Sequence, residues 1–160
     1  DTKSYYFFMR RQMLLMNRDK INRIYESVQK VNQVYEVWAG KHKLTLYEML
    51  MFYEIFQKEN MEITQKELSI KLEAPKTSVN SIIKKQLNAG YIEMRVNPQN
   101  KREKIISLTE NGERYAEKLI RPLLQYEEEA VGMLEDREVE TIIAAQNKFA
   151  DILLSKMEDR

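Results

Sequence analysis

The sequence predicts a mostly α-helical protein with one small β-hairpin, and three features of its 160 residues carry that prediction. Apolar residues recur at spacings of three and four along much of the chain, which is the period of amphipathic helices. Two capping-box sequences mark helix starts. Residues 91–108 instead alternate apolar and polar side chains on both sides of the turn sequence NPQNKR, which is the pattern of two paired strands.

The composition indicates a soluble globular protein of one domain, or of one core with appended helices. Apolar residues make up 43% of the chain and charged residues 32%. No apolar run reaches the roughly eighteen residues that a membrane span needs. The aromatic stretch at the start is interrupted by Arg10 and Arg11 and has no cleavage site, so it does not resemble a signal peptide. Because cysteine is absent, we expect a reducing, cytoplasmic location.

The charge is unevenly distributed, although the net charge is only +1. Residues 65–104 carry nine Lys and Arg against four Asp and Glu, whereas residues 105–160 carry seven against thirteen. A basic segment beside an acidic one indicates a local contact with a polyanion. Chance variation of charge along the chain is the alternative, and charge alone does not decide between the two.

The first part of the chain is predicted to be helical. An apolar seam runs from Ile21 to Trp38 and predicts one helix that Gly40 ends. The seam loses its phase further upstream, so residues 4–16 are expected to form a separate helix or a shifted turn.

Two capping boxes predict the next two helices. Thr45 is followed three residues later by Glu48, and Thr64 by Glu67, so each pair can satisfy free backbone N–H groups at a helix start. The second helix should be short, because Pro75 cannot continue it. A further helix then follows, with four apolar positions expected to be buried and a glycine at its end: Val79, Ile82, Ile83, Leu87 and Gly90.

Two long helices are predicted after the hairpin. Thr109 ends the second strand and can cap a helix that reaches about Val131, with Pro122 bending it. The last helix carries an apolar stripe that is wider than a small domain needs for its own core. This stripe comprises Val139, Ile142, Ile143, Gln146, Phe149, Ile152 and Leu153.

A short helix, a tight turn, a second helix and a β-hairpin, in that order, form a winged helix-turn-helix domain. On the second helix, short hydroxyl and amide side chains can approach base edges while lysines reach phosphates. The hairpin tip holds Arg102 where it can enter a minor groove. The candidate DNA contacts are Lys76, Thr77, Ser78, Asn80, Ser81, Lys84 and Lys85 in the helix, with Lys101 and Arg102 in the hairpin. An ordinary solvated helix face carries similar residues, but the helix order and the hairpin favour the DNA interpretation.

From Leu44 to Gly112, and more loosely to the end, the chain resembles the MarR-family (multiple antibiotic resistance) transcriptional regulators. The stretches that carry the resemblance are ITQKELSIKL, TSVNSIIKKQLNAGYIEMR and NKREKIISLTENG. The third matches the wing signature of the family at Arg102, Leu108, Thr109 and Gly112.

The sequence departs from the family pattern at two positions. Asn100 stands where the family has an aspartate that is expected to hold the wing arginine, and a neutral amide is a weaker acceptor than a carboxylate. Asn100 and Pro98 are therefore expected to support the wing as turn residues. Glu73 stands where a glycine is common in the turn between the two helices, and we expect it to be tolerated.

The resemblance implies a homodimer in which a winged helix-turn-helix domain is flanked by N- and C-terminal dimerisation helices. The expected boundaries are 1–43 for the N-terminal helices, 44–109 for the DNA-binding domain and 110–160 for the C-terminal helices. It also implies a sequence-specific transcriptional regulator of double-stranded DNA. We expect a repressor that binds a pseudo-palindromic operator and is released by a small-molecule effector.

The resemblance further implies an effector cleft between the dimerisation and DNA-binding parts, where family members often bind small aromatic or lipophilic anions. The residues expected to line it are Tyr35, Trp38, His42, Met49 and Tyr53. Aromatic residues and methionines at helical spacing are also ordinary core residues, and that alternative stays open.

Enzymatic and metal-binding functions find little support in the sequence. His42 is the only histidine and there is no cysteine, so a catalytic triad has no local signature and a structural zinc cluster lacks its ligand types. Only four glycines are present, and none forms a phosphate-binding loop. No catalysis, metal or cofactor is expected. The other alternative is a winged helix that binds proteins, which would not need cations at the wing tip.

Overall fold

The computed structural model describes the backbone of residues 2–158 and the side chains of Met9 and residues 12–158. In this part of the chain, six helices and three strands follow one another. They are α1 (Thr2–Lys41), α2 (Leu46–Phe56), β1 (Glu62–Thr64), α3 (Gln65–Leu72), α4 (Lys76–Asn88), β2 (Ile92–Val96), β3 (Lys104–Leu108), α5 (Glu110–Gly132) and α6 (Asp136–Glu158). The predicted winged helix-turn-helix, mostly α with a hairpin wing, is confirmed.

The chain divides between Glu113 and Arg114 into two compact units, so that α5 begins in the first unit and continues in the second. None of the described helices is long and apolar enough to cross a membrane.

The prediction that residues 4–16 form a separate helix or a shifted turn was wrong. They belong to the single helix α1, which continues from Thr2 to Lys41. The segment lacks Pro and Gly before Gly40, so nothing in it breaks the backbone helix. The lost phase of the apolar seam changes which face is apolar and leaves the helix intact.

The helix starts follow the predicted caps. At α2 the capping box is complete: the Thr45 hydroxyl accepts from the Glu48 N–H, and the Thr45 N–H donates to the Glu48 carboxylate at 2.9 Å. At α3 only half of the predicted capping box is formed: Thr64 accepts from the Glu67 N–H at 3.1 Å, but the Glu67 carboxylate lies 2.5 Å from Lys58 Nζ and does not return to the Thr64 N–H. Glu73 ends α3 in the left-handed conformation, at φ +46°, which explains why a glycine would also suit this position.

The sheet contains one strand that the sequence did not predict. Its order is β1-β3-β2, antiparallel throughout, so β3 is the central strand. Ile106 of β3 lies opposite both Ile63 of β1 and Met94 of β2, which aligns an apolar row across the three strands. β1 has only three residues, too few to show an alternating pattern in the sequence.

The core of the first unit is built around α2. Four of its side chains are fully buried, namely Met49, Met51, Phe52 and Ile55. From α4, Val79 and Ile83 are buried as predicted, whereas Ile82 is only half-buried. The prediction that Leu87 is buried was wrong: it is exposed, and Gln86 is buried in its place. Gln86 is buried because its side-chain amide donates a hydrogen bond to the buried carboxylate of Glu48.

The predicted apolar stripe of α6 is largely exposed in the part of the chain that the structure describes. No residue of α6 is buried, and Ile142, Ile143, Ile152 and Leu153 are all exposed.

Gly112 lies where the start of β2 and the start of α5 meet. The Thr109 hydroxyl donates to the Gly90 carbonyl at 2.6 Å and accepts from the Gly112 N–H at 3.0 Å, as the predicted helix cap requires. A Cβ atom built on Gly112 would lie 1.8 Å from the Tyr91 carbonyl oxygen. This oxygen belongs to the backbone and itself accepts from the Thr109 N–H, so it cannot move aside without breaking that bond.

We therefore expect Gly112→Ala to lower the free energy of unfolding by about 1–3 kcal/mol or more, because overpacking against backbone forces the chain to shift. Gly40→Ala is the matched control. Gly40 is also helical and has no neighbouring atom within 4 Å of an added Cβ, so this change should be neutral or stabilise by up to about 1 kcal/mol. Urea unfolding of both variants measures the difference. Equal stabilities would show that the contact at Tyr91 is not restrictive.

Candidate nucleic-acid interface

A cleft of about 540 Å³ lies between α3, the start of α4 and the wing, the hairpin formed by β2 and β3. It brings together three of the predicted DNA contacts, Lys76, Asn80 and Arg102. The complete lining is Gln65, Lys66, Ser69, Ile70, Ala74, Lys76, Asn80, Arg102, Glu103 and Lys104. Four of these side chains are cationic and one is a carboxylate, so the cleft favours an anionic occupant.

The polar face of α4 is exposed as predicted, because the buried side chains of Val79 and Ile83 turn the opposite face into the core. Ser78 is half-buried, and the Ser81 hydroxyl donates to the Thr77 carbonyl at 2.9 Å. The exposed residues of this face are Lys76, Thr77, Asn80, Ser81, Lys84 and Lys85.

Gln65, the first residue of α3, is a contact that the sequence analysis missed. Its side-chain amide donates to Asn80 Oδ1 of α4 at 2.8 Å. This bond fixes the direction of the Asn80 amide at the cleft. The available signal was its position directly after the cap residue Thr64, as the first residue of α3.

Lys84 and Lys85 are neighbours with different surroundings. Lys85 Nζ lies 2.5 Å from Glu48 Oε1, whereas Lys84 has no ion pair among the described residues. Burial raises the pKa of Glu48, but hydrogen bonds from Lys85 and Thr45 outweigh burial and hold that pKa below the usual glutamate value. The carboxylate is therefore charged at neutral pH, and the structure assigns Lys85 a partner inside the protein.

The wing tip is built from two asparagine turns. Asn97 Oδ1 accepts from the Gln99 N–H at 3.0 Å, and Asn100 Oδ1 accepts from the Arg102 N–H at 3.2 Å. Pro98, the other predicted support residue, is exposed within the first of these turns. Asn100 thus fixes the backbone of Arg102, a role that differs from the guanidinium contact implied for the family aspartate.

An ion pair across the sheet supports the base of the wing. Arg95 of β2 lies 2.7 Å from Glu62 of β1, on the other side of the central strand. At the tip both predicted cations, Lys101 and Arg102, are exposed. Arg102 lines the cleft and Lys101 does not.

A second, smaller cavity of about 220 Å³ lies between α1 and α2. Two of the predicted effector residues, Tyr35 and Tyr53, line it together with Asn32, Leu46 and Leu50. The other three lie elsewhere. The rings of Trp38 and His42 contact each other with centroids 4.8 Å apart, and Met49 is fully buried in the core.

Solved structures with a similar fold cover most of this chain. NMB1585, a MarR family regulator from Neisseria meningitidis, matches at a TM-score of 0.72 with 21% identity, over 88% of this chain and 97% of that one. S. aureus MepR in its DNA-binding conformation matches at 0.68 with 19% identity, over 81% and 96%. The S. aureus MepR–DNA complex matches at 0.63 with 18% identity, over 81% and 94%.

No protein-family model and no curated protein matches the sequence. Identities near 20% establish the fold alone. This chain has the fold of the MarR-family transcriptional regulators.

Proposed function

We propose that this protein is a sequence-specific, DNA-binding transcription regulator and has no enzymatic activity. The observation that carries the proposal is the cleft, in which cations of the wing and of α4 lie beside the amides of Gln65 and Asn80. Lysines suit phosphates, and amide side chains suit base edges. The likeness to MepR in its complex with DNA supports the same interpretation.

Within this proposal, α4 is the recognition helix. Asn80 and Ser81 approach base edges, while Lys76 and Lys84 contact phosphates, because short polar side chains can reach bases only at close range. Asn80 can pair with adenine through its two amide atoms. Gln65 directs that amide through the 2.8 Å hydrogen bond, so it contributes to the same readout.

We also propose that the regulator is a homodimer, with the segments 1–43 and 110–160 serving dimerisation. Exposed apolar stripes support this. On α1, Val31, Val34 and Val37 are each more than half exposed, and on α6 no residue of the stripe is buried. A second copy of the chain is a partner that would cover such surfaces, because isolated large apolar patches are unfavourable in water.

The dimer should bind two DNA half-sites separated by about one helical turn, roughly 34–36 Å. Duplexes selected from a random library by the protein should therefore contain paired, inversely repeated half-sites. Sedimentation should show two chains per selected duplex, and a dimer at micromolar concentration without DNA. A stable monomer in both conditions would contradict the dimer, and a failure to select any sequence would contradict the regulator.

Arg102→Ala should weaken binding to the selected duplex by about tenfold or more, because a charge-assisted contact to the minor groove is lost. The loss should be larger with A·T-rich flanks, whose narrow groove has the more negative potential. Asn100→Asp should change affinity little, since its oxygen can still accept from the Arg102 N–H and preserve the turn.

Lys101→Ala is the control for this pair, because Lys101 is exposed at the same tip but does not line the cleft. It should weaken binding equally to duplexes with A·T-rich flanks and to duplexes with other flanks. If Arg102→Ala binds duplexes with either kind of flank as tightly as the parent does, the wing is a structural hairpin only. The winged helix is a protein-interaction module if the parent protein does not bind DNA, and if alanine at both tip positions leaves the binding of a protein partner intact.

We propose that the regulator represses and that a small aromatic or lipophilic effector in the cavity between α1 and α2 releases it from DNA. Tyr35 and Tyr53 line it with aromatic side chains, and Leu46 and Leu50 supply an apolar wall. A volume of about 220 Å³ restricts the occupant to a small molecule.

Benzoate is a suitable probe for this cavity. It should raise the dissociation constant of the selected duplex for the parent protein and have little effect on Leu50→Trp, whose indole fills the cavity. Tyr47→Trp is the control, because Tyr47 lies exposed on the same helix and does not line the cavity. An unchanged benzoate response in Leu50→Trp would contradict the assignment of the site.

A further inference from the structure

The Glu48 carboxylate joins the start of α2 to the end of α4. Its Oε2 accepts from the Thr45 N–H at 2.9 Å and from the Thr45 hydroxyl at 3.1 Å. Its Oε1 accepts from Gln86 Nε2 at 3.3 Å and lies 2.5 Å from Lys85 Nζ. Both oxygens are therefore occupied by protein donors, and the residue is only 2% exposed.

We propose that Glu48 is a positioning residue for the recognition helix, and that Lys85 acts through it and does not contact phosphate. The proposal rests on the proposed DNA-reading function. A buried carboxylate is costly unless it is paired and hydrogen-bonded. The start of α2 and the end of α4 are therefore held in the positions from which Thr45, Lys85 and Gln86 can all contact this carboxylate.

Two consecutive residues of α4 contact one oxygen atom, and this fixes the helix in rotation as well as in position. Neighbouring side chains on a helix project about 100° apart. Lys85 reaches the carboxylate from the solvent side and Gln86 from the core side, with exposures of 62% and 3%. A rotation of α4 about its axis would break at least one of the two contacts. The angle at which Asn80 and Ser81 face outward is therefore set from the far end of the helix.

Among the described residues, the front of α4 has no equivalent polar anchor. Its N-cap residue is Pro75, and no side chain caps the helix there. The described polar contact near that end is the hydrogen bond from Gln65 to Asn80, and both residues lie at the surface cleft. The buried joint at Glu48 is consequently the stronger constraint on the helix.

A phosphate contact and a positioning residue differ in what they change. Loss of a phosphate contact weakens binding to all sequences and lowers the salt slope by about one. Loss of a positioning residue misdirects the base-reading side chains, so it lowers the ratio of selected-duplex to scrambled-duplex affinity. Lys84 is the matched control, because it is the adjacent lysine on the exposed face and has no ion pair among the described residues.

The experiment uses the duplex selected by the parent protein and a scrambled duplex of equal composition, each titrated over a range of salt. Lys85→Met should lower the affinity ratio roughly tenfold and leave scrambled-duplex affinity and its salt slope unchanged. Glu48→Gln should do the same, and Lys85→Arg should retain the ratio. Lys84→Met should weaken both duplexes and lower the salt slope. Asn80→Ala gives the reference for lost base reading.

The double variant Glu48→Gln with Lys85→Met separates positioning from mere structural damage. It leaves no unpaired buried charge, so it folds even if a single variant does not. It should lower the ratio of selected-duplex to scrambled-duplex affinity as much as either single change. Recovery of the parent ratio would show that the singles suffer only from an unpaired charge, and would overturn the positioning role. So would a Lys85→Met variant that behaves like Lys84→Met. If the parent selects no duplex at all, the proposed function fails first and the positioning role fails with it.

Discussion

The arrangement of the first unit depends on one buried charge, the carboxylate of Glu48. It lies on α2 among four fully buried apolar side chains of the same helix, where an unpaired charge would be strongly unfavourable. It is tolerated because Thr45, Lys85 and Gln86 occupy both of its oxygens. The apolar core can accommodate small shifts of α4, whereas this set of short contacts cannot. The core therefore supplies most of the stability, and the carboxylate selects one geometry among those that an apolar interface would allow.

The helix α2 carries residues of the small cavity on one face and Glu48 on the opposite face. Leu46, Leu50 and Tyr53 line the small cavity, whereas Glu48 lies about half a helical turn away from that face, at roughly 100° per residue. A ligand that displaces α2 from the cavity side would thus act directly on the residue that holds α4. Because packed helices move as rigid elements, a small displacement at one face reaches the other undiminished. This geometry connects the proposed effector site to the proposed recognition helix through a single element.

Much of the fold and the centre of the candidate site follow from local sequence signals. Thr45 and Thr64 cap helices as predicted, and Asn80 and Arg102 meet at one cleft because the helix order and the hairpin place them there. The misses at α4 are non-local. Apolar spacing assigns Leu87 to the core, but a buried carboxylate from a residue 38 positions earlier draws Gln86 inward instead. Likewise, a count of cations cannot show that Lys85 already has a partner within the protein.

The difference between paired and unpaired cations explains how a chain of net charge +1 can present a cationic cleft. Away from the cleft, acidic residues pair with basic ones: Glu48 with Lys85, Glu62 with Arg95 and Glu67 with Lys58. The cations at the cleft and the wing tip have no ion pair among the described residues, and they are Lys66, Lys76, Lys101, Arg102 and Lys104. At physiological ionic strength, exposed charges more than about 8 Å away are largely screened. An approaching polyanion therefore responds to these unpaired cations and hardly to the acidic residues elsewhere, so the pairing pattern matters more than the sum of charges.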